Sequence, residues 1–154
     1  MIAKRVSVEQ TTRTKMTSTP VSDDSIFLHE SVIRGHHIFK GIWTPRTGEI
    51  VQVRQEAGNP HDRNAVALLK ADGTVVGHVP REYSKVFWHF INHSGRVSCE
   101  VTGRRRYGKS LEVPCVYKFF ATELLIVKLK GIVLCTFFPL QRLFLKPLHI
   151  KRFH

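Results

Sequence analysis

The sequence predicts a mainly β domain with one helix, folded as a small, partly open barrel of the OB-like or SH3-like kind. Three observations carry this. About six short runs of strand-forming residues recur between clusters of Gly, Pro, Asn and Asp in under 100 residues. One stretch alone has helical spacing: Tyr83, Val86, Phe87, Phe90 and Ile91 fall at i, i+3, i+4, i+7 and i+8. The chain has 154 residues, 42% of them hydrophobic, which suits one domain with one core.

Residues 1–30 are expected to form a flexible N-terminal arm. Their first 25 are polar, rich in Ser and Thr, and too poor in apolar surface to offset the entropy of ordering. Ser31 to Trp43 is expected as a strand with a kink at Gly35, followed by a turn at Thr44–Gly48. Glu49 to Glu56 is a strand, broken by Ala57-Gly58-Asn59-Pro60. Ala65 to Lys70 and Val75 to Val79 form a hairpin across Ala71-Asp72-Gly73-Thr74. Pro80 opens the helix and Gly95 stops it. Arg96 to Thr102 alternates as a strand. Gly103 to Lys109 is a basic loop bounded by glycines. Leu111 to Phe119 is the last strand, with Pro114 placing it at an edge or a bulge.

Charge narrows the partners. The formal net charge is +12 and the pI about 10.1, which favours polyanions, either nucleic acid or an anionic membrane surface. The first thirty residues balance four basic against four acidic side chains, so the excess lies in the domain and beyond it. Three cysteines without a Cys-x-x-Cys pair argue against a disulfide framework and for a reducing compartment. The first residues contain no apolar signal-peptide core, so a nuclear or otherwise intracellular location is expected.

The densest local signal runs from Glu49 to Pro80. Arg54-Gln55-Glu56, then Asn59-Pro60-His61-Asp62-Arg63-Asn64-Ala65-Val66, then Gly73, then Val76-Gly77-His78-Val79-Pro80-Arg81 resemble the HIRAN domain family, over roughly residues 31–119. The resemblance implies a modified OB barrel that binds DNA, in some members at a free 3′ end of a single strand. It implies the acidic end-contacting role for Asp62, with His61 standing where the family usually has Tyr. The family's end-binding members also carry an Arg-aromatic pair on the first strand. This chain offers His37 and Phe39 there, and Tyr107 as the nearest candidate for a late aromatic.

The residues themselves support part of this. A carboxylate at Asp62 can accept a hydrogen bond from a terminal sugar hydroxyl, which a phosphate-blocked end does not offer. The imidazole of His61 can stack on a base. Arg104, Arg105, Arg106, Tyr107 and Lys109 combine four cations and one aromatic, a suitable phosphate-contact element. Plainer readings stand beside these: Asn59 and Asp62 capping their own turn, and the basic loop as a solvated hairpin tip. His89 and His93 are four apart on the polar side of the helix without the Glu of an HExxH motif, so they read as a solvated face and no metal is assigned. Cys99 and Cys115 read as small core residues. Nucleophile elbow, P-loop and GxGxxG patterns are all missing, so a catalytic role is not expected.

Residues 120–154 change character, becoming apolar and basic. Their longest near-apolar run, Ile132 to Leu140, is shorter than the roughly 20 residues that span a bilayer, so a membrane partner is not expected. Pro139 and Pro147 interrupt a helix there. The functional expectation is a non-catalytic module that binds nucleic acid, single-stranded DNA favoured, without a cofactor. The rivals are a protein-interaction module with a basic surface and a fragment of a larger helicase-like ATPase.

Overall fold

A computed structural model of the chain describes residues 24–137. Strand β1 runs Asp24–Ile33, helix α1 His36–Phe39, β2 Ile50–Gln55, β3 Val66–Leu69 and β4 Val75–His78. Helix α2 follows at Arg81–Asn92, then β5 Arg96–Val101, β6 Arg106–Tyr107, β7 Leu111–Thr122 and helix α3 Glu123–Phe137. All pairings are antiparallel, in the order β1-β7-β5-β2-β3-β4, with β6 pairing the start of β7.

The two outer strands nearly close this sheet on itself. They meet at one bridge, where Arg34 N donates to His78 O at 2.8 Å and His78 N to Arg34 O at 2.9 Å. Gly77 permits the approach. A Cβ there would lie 2.4 Å from Ile33 Cγ2 and 2.9 Å from Arg34 O. The result is the expected mainly β, OB-like barrel, left open except at this seam.

The core follows from alternation. Along β7, Val113, Cys115, Tyr117, Phe119 and Ala121 point inward and are buried. The apolar stripe of α2 lies over them. The Phe87 ring meets those of Tyr117 and Phe119 edge-on at 4.8 Å each, and Phe90 meets Phe119 at 5.1 Å. The one polar atom of the Tyr117 ring is satisfied, since its hydroxyl donates to Val32 O at 3.0 Å. Cys99 and Cys115 are buried, as expected for small core residues.

Three boundaries differ from the sequence reading. Residues 24–30, expected in the arm, are the first part of β1, which pairs along its whole length with Val113 to Thr122. Residues 1–23 lie outside the described residues. The expected strand from Ser31 to Trp43 ends at Ile33. Gly35, at φ +75°, turns the chain into the single turn of α1, and Trp43 is buried beyond it, its indole N–H donating to Glu49 at 3.0 Å. A left-handed glycine ends the extended path, and the residues after it coil into a helical turn instead of alternating. Finally, β7 continues to Thr122 and runs into α3, which packs Ile126, Leu129 and Val133 inward against β1, β7 and α2. Residues 138–154, with both prolines, lie outside the described residues.

Pro114 sits inside the sheet, opposite Val32 of β1. Its position is tolerated because β7 changes partner there. The β5 ladder ends at the Val101–Cys115 pair, Thr102 N still donates to Pro114 O at 3.0 Å, and β6 takes over at Glu112. The missing N–H falls where the ladder lapses.

Candidate nucleic-acid interface

The loop between β2 and β3 is built around Asn59. Its side-chain oxygen accepts from His61 N at 2.9 Å and Asp62 N at 3.1 Å, and its amide donates to Glu56 Oε2 at 2.8 Å. The loop closes through Glu56 N to Ala65 O and Ala65 N to Asp62 O. Asn59 is thus the organiser of the corner, and the turn-capping reading of the sequence holds for it and, through Asn64 N, for Asp62. His61 is left exposed.

Asp62 is held on both oxygens. Oδ1 accepts from Asn64 N at 2.9 Å and Oδ2 from the Ser84 hydroxyl at 2.7 Å. Partial burial pushes its pKa up. The hydrogen bonds from Ser84 and Asn64 and the nearby charges of Arg81 and His78 outweigh that, and the carboxyl ends below the usual range. Arg81 ties the corner to α2, donating to His61 O at 3.1 Å.

Glu56 and His78 complete the corner. His78 Nε2 lies 2.7 Å from Glu56 Oε2, and its backbone makes the closing bridge to Arg34. Burial raises the Glu56 pKa, but the hydrogen bonds from Asn59 and His78 prevail and lower it. The Phe39 ring of α1 stands 6.3 Å from the His78 ring. So α1 brings one of its two expected site residues, Phe39, to the corner, while His37 is exposed on the same turn.

The other side of α1 receives the basic loop. Arg105 Nη1 lies 3.4 Å from His36 Nε2 and 3.5 Å from Lys40 O. His36 is fully buried, edge-on to Trp43. Burial first, then the charges of Arg105 and His37, lower its pKa, so the ring is held neutral and presents a lone pair to the guanidinium. Arg106 is paired with Glu112 at 3.7 Å, and the same buried carboxylate holds Arg34 at 3.1 Å. Gly108 makes room for it, since a Cβ would meet Glu112 Oε1 at 2.3 Å. Arg104 and Lys109 are exposed, and Tyr107 is 85% exposed.

The structure therefore joins Phe39, His61, Asp62 and Arg105 through α1 and the loop, and leaves Arg104, Tyr107 and Lys109 projecting from the hairpin. Arg106 is engaged within the protein. Sequence reasoning missed Glu56, His78 and Ser84 as members of the site. His78 and Glu56 stood inside the motif, but their pairing spans 22 residues and is created only by the hairpin. Among the described residues, no cluster of three or more His, Cys, Asp or Glu side chains is arranged to hold a metal ion.

Comparison with curated proteins finds no match. Solved structures do match. The crystal structure of the HIRAN domain of human HLTF is similar at a TM-score of 0.63 and 17% identity, covering 75% of this chain and 94% of that one. The NMR structure of the HLTF HIRAN domain in its DNA-bound conformation is similar at 0.60 and 18% identity, covering 74% of this chain and 92% of that one. At such identities the likeness is one of fold. The HIRAN domain family model matches residues 26–120, which take in the corner, the seam and the basic hairpin; with well over half of its length so matched, the chain belongs to the HIRAN domain family.

Proposed function

We propose that this domain binds single-stranded DNA without catalysis and seats a free 3′ end at the His61–Asp62 corner. The observation that carries the reading is the position of α1, which touches the corner through Phe39 and the basic loop through Arg105. One short helix thereby sets an aromatic, an ionised carboxylate and a cation-rich hairpin along a single path. The likeness to an HLTF HIRAN domain solved in its DNA-bound conformation supports it.

The roles follow from the chemistry. Each Asp62 oxygen has accepted one hydrogen bond, and each keeps acceptor capacity for a sugar hydroxyl. A 3′-phosphate in its place would bring charge against charge. The exposed His61 ring and the Phe39 ring offer stacking faces. Arg104, Arg105, Lys109 and Arg81 supply phosphate contacts, with Tyr107 available to stack at the hairpin.

The test is an oligonucleotide panel on the full chain. Affinity for single strands is expected to fall with salt with a log–log slope of about −0.7 per phosphate contact. Asp62→Ala is expected to weaken a 3′-hydroxyl strand by about tenfold and a 3′-phosphate strand far less. Because Asp62 also braces the loop against Ser84, the variant's melting curve is measured alongside. Equal losses on both ends would remove end recognition, and salt-insensitive or absent binding would remove the nucleic-acid reading.

A further inference from the structure

Helix α2 leaves the corner at Arg81 and carries Lys85 and His89, with His93 capping its end, at successive four-residue steps, all exposed. Such residues form one row along a helix, about 6 Å apart in rise. The row borders a groove of about 560 Å³ between α2 and α3. Its floor is apolar, formed by Val86 and Phe90 of α2 with Leu125, Leu129 and Ile132 of α3, and Lys128 stands on the far wall. Among the described residues of the lining the one carboxylate is Glu82, 4.0 Å from Arg34. His93 donates from Nδ1 to His89 O at 2.6 Å, which fixes the ring beside the end of the helix.

We infer that this groove is a second subsite for the nucleic acid bound at the corner, an inference that rests on the function proposed above. The strand runs on from Arg81 with its phosphates against Lys85, His89, His93 and Lys128 and its bases over the apolar floor. A step of about 6 Å exceeds the 3.4 Å advance per phosphate of a strand in duplex DNA. The row therefore fits a stretched single strand, or every second phosphate of a stacked one. Continuity with the corner favours nucleic acid over an acidic peptide, since Arg81 begins the row and already binds the corner's backbone. The chain's own C-terminal stretch is a poor occupant. Residues 138–154 contain no Asp or Glu and four Lys or Arg, which the rim would repel.

The experiment compares a four-nucleotide and a twelve-nucleotide strand, both ending in a 3′-hydroxyl, by fluorescence anisotropy over a range of salt. The proteins are the full chain, the triple variant Lys85→Ala, His89→Ala, His93→Ala, and Lys128→Glu on the opposite wall. All four positions are exposed, so folding is expected to survive, and melting curves check it. The wild type is expected to bind the longer strand about tenfold tighter and with a steeper salt slope. Both variants are expected to lose most of that gain while holding the short strand within about twofold of wild type. A wild type with no gain, or variants that keep it, overturns the inference while leaving the corner intact. Variants that keep the gain but lose a poly-glutamate peptide assign the groove to an acidic protein and also overturn it. Failure of the wild type on both strands removes the functional reading, and this inference with it.

Discussion

Glu56 shows how a single side chain can serve the fold and the site together. It receives Asn59 and His78 on one oxygen, so it holds the corner loop to the end of β4. Its pKa is lowered on folding, so its charge contributes stability above the ordinary carboxylate range, and the contribution is lost as pH falls through the lowered value. Asp62 behaves in the same direction. Glu56→Gln is therefore expected to cost about 1 kcal/mol or less at neutral pH, the side chain being one third exposed. The gap to wild type should narrow as pH falls below the ordinary carboxylate range, as the Glu56 side chain becomes uncharged like Gln. Urea midpoints across pH measure this, and a gap that persists in acid would mark the loss as packing. Of these residues, Asp62 was legible from the sequence because its type and its loop were distinctive. Glu56, Ser84 and His78 were not, because a carboxylate ending a strand gains a role only from what the fold sets against it.

At the scale of elements, the strands with clean alternation and the helix with its apolar stripe were readable, and their cores fell where the period placed them. Two short elements were misread for opposite reasons. The run from Ser31 to Trp43 carries Val, Ile, Phe and Trp, yet Gly35 in the left-handed region divides it into β1 and α1. The start of β1 was concealed because Ile26 and Leu28 stay exposed while Phe27 turns inward, a weak alternation following a polar stretch. Helix α3 was harder still. Its apolar residues are spread around the helix, so the pattern does not say which side packs. Packing selects Ile126, Leu129 and Val133. Ile126→Ala is expected to destabilise the domain by about 2–5 kcal/mol, whereas Leu124→Ala, at an exposed position of the same helix, should change stability by about 0.5 kcal/mol or less. Chemical denaturation checks both. Equal, small effects would detach α3 from the cooperative unit.

Over the whole molecule, charge and topology answer different questions. The net charge of +12 draws in polyanions from any direction, while the sheet decides which cations share a path. Sequence proximity grouped Arg104 to Lys109, and the fold divided them: Arg105 against α1, Arg106 against Glu112, the remainder into solvent. Helical spacing alone aligns Arg81, Lys85, His89 and His93, whereas only the fold sets α3 across from them. Long-range pairing, unlike local patterning, is where the sequence falls silent.

The single seam between β1 and β4 has a consequence in time. The strands of the sheet are laced to their neighbours by ladders, whereas the end of β1 and β4 meet, among the described residues, only through the two hydrogen bonds of Arg34 and His78. With no ladder to reinforce the bridge, amide hydrogens at Arg34 and His78 are expected to exchange with solvent far faster than those in the middle of β7. Phe39 and Glu56 both lean on His78, so a strand seated at the corner bears directly on this joint. Saturating single-stranded DNA should slow exchange at the two seam amides more than at β7, as read by deuterium uptake. Unchanged protection there would mean that the ligand closes nothing. The barrel is held like a clasped ring, and the joint expected to open first lies beside the site proposed for its ligand.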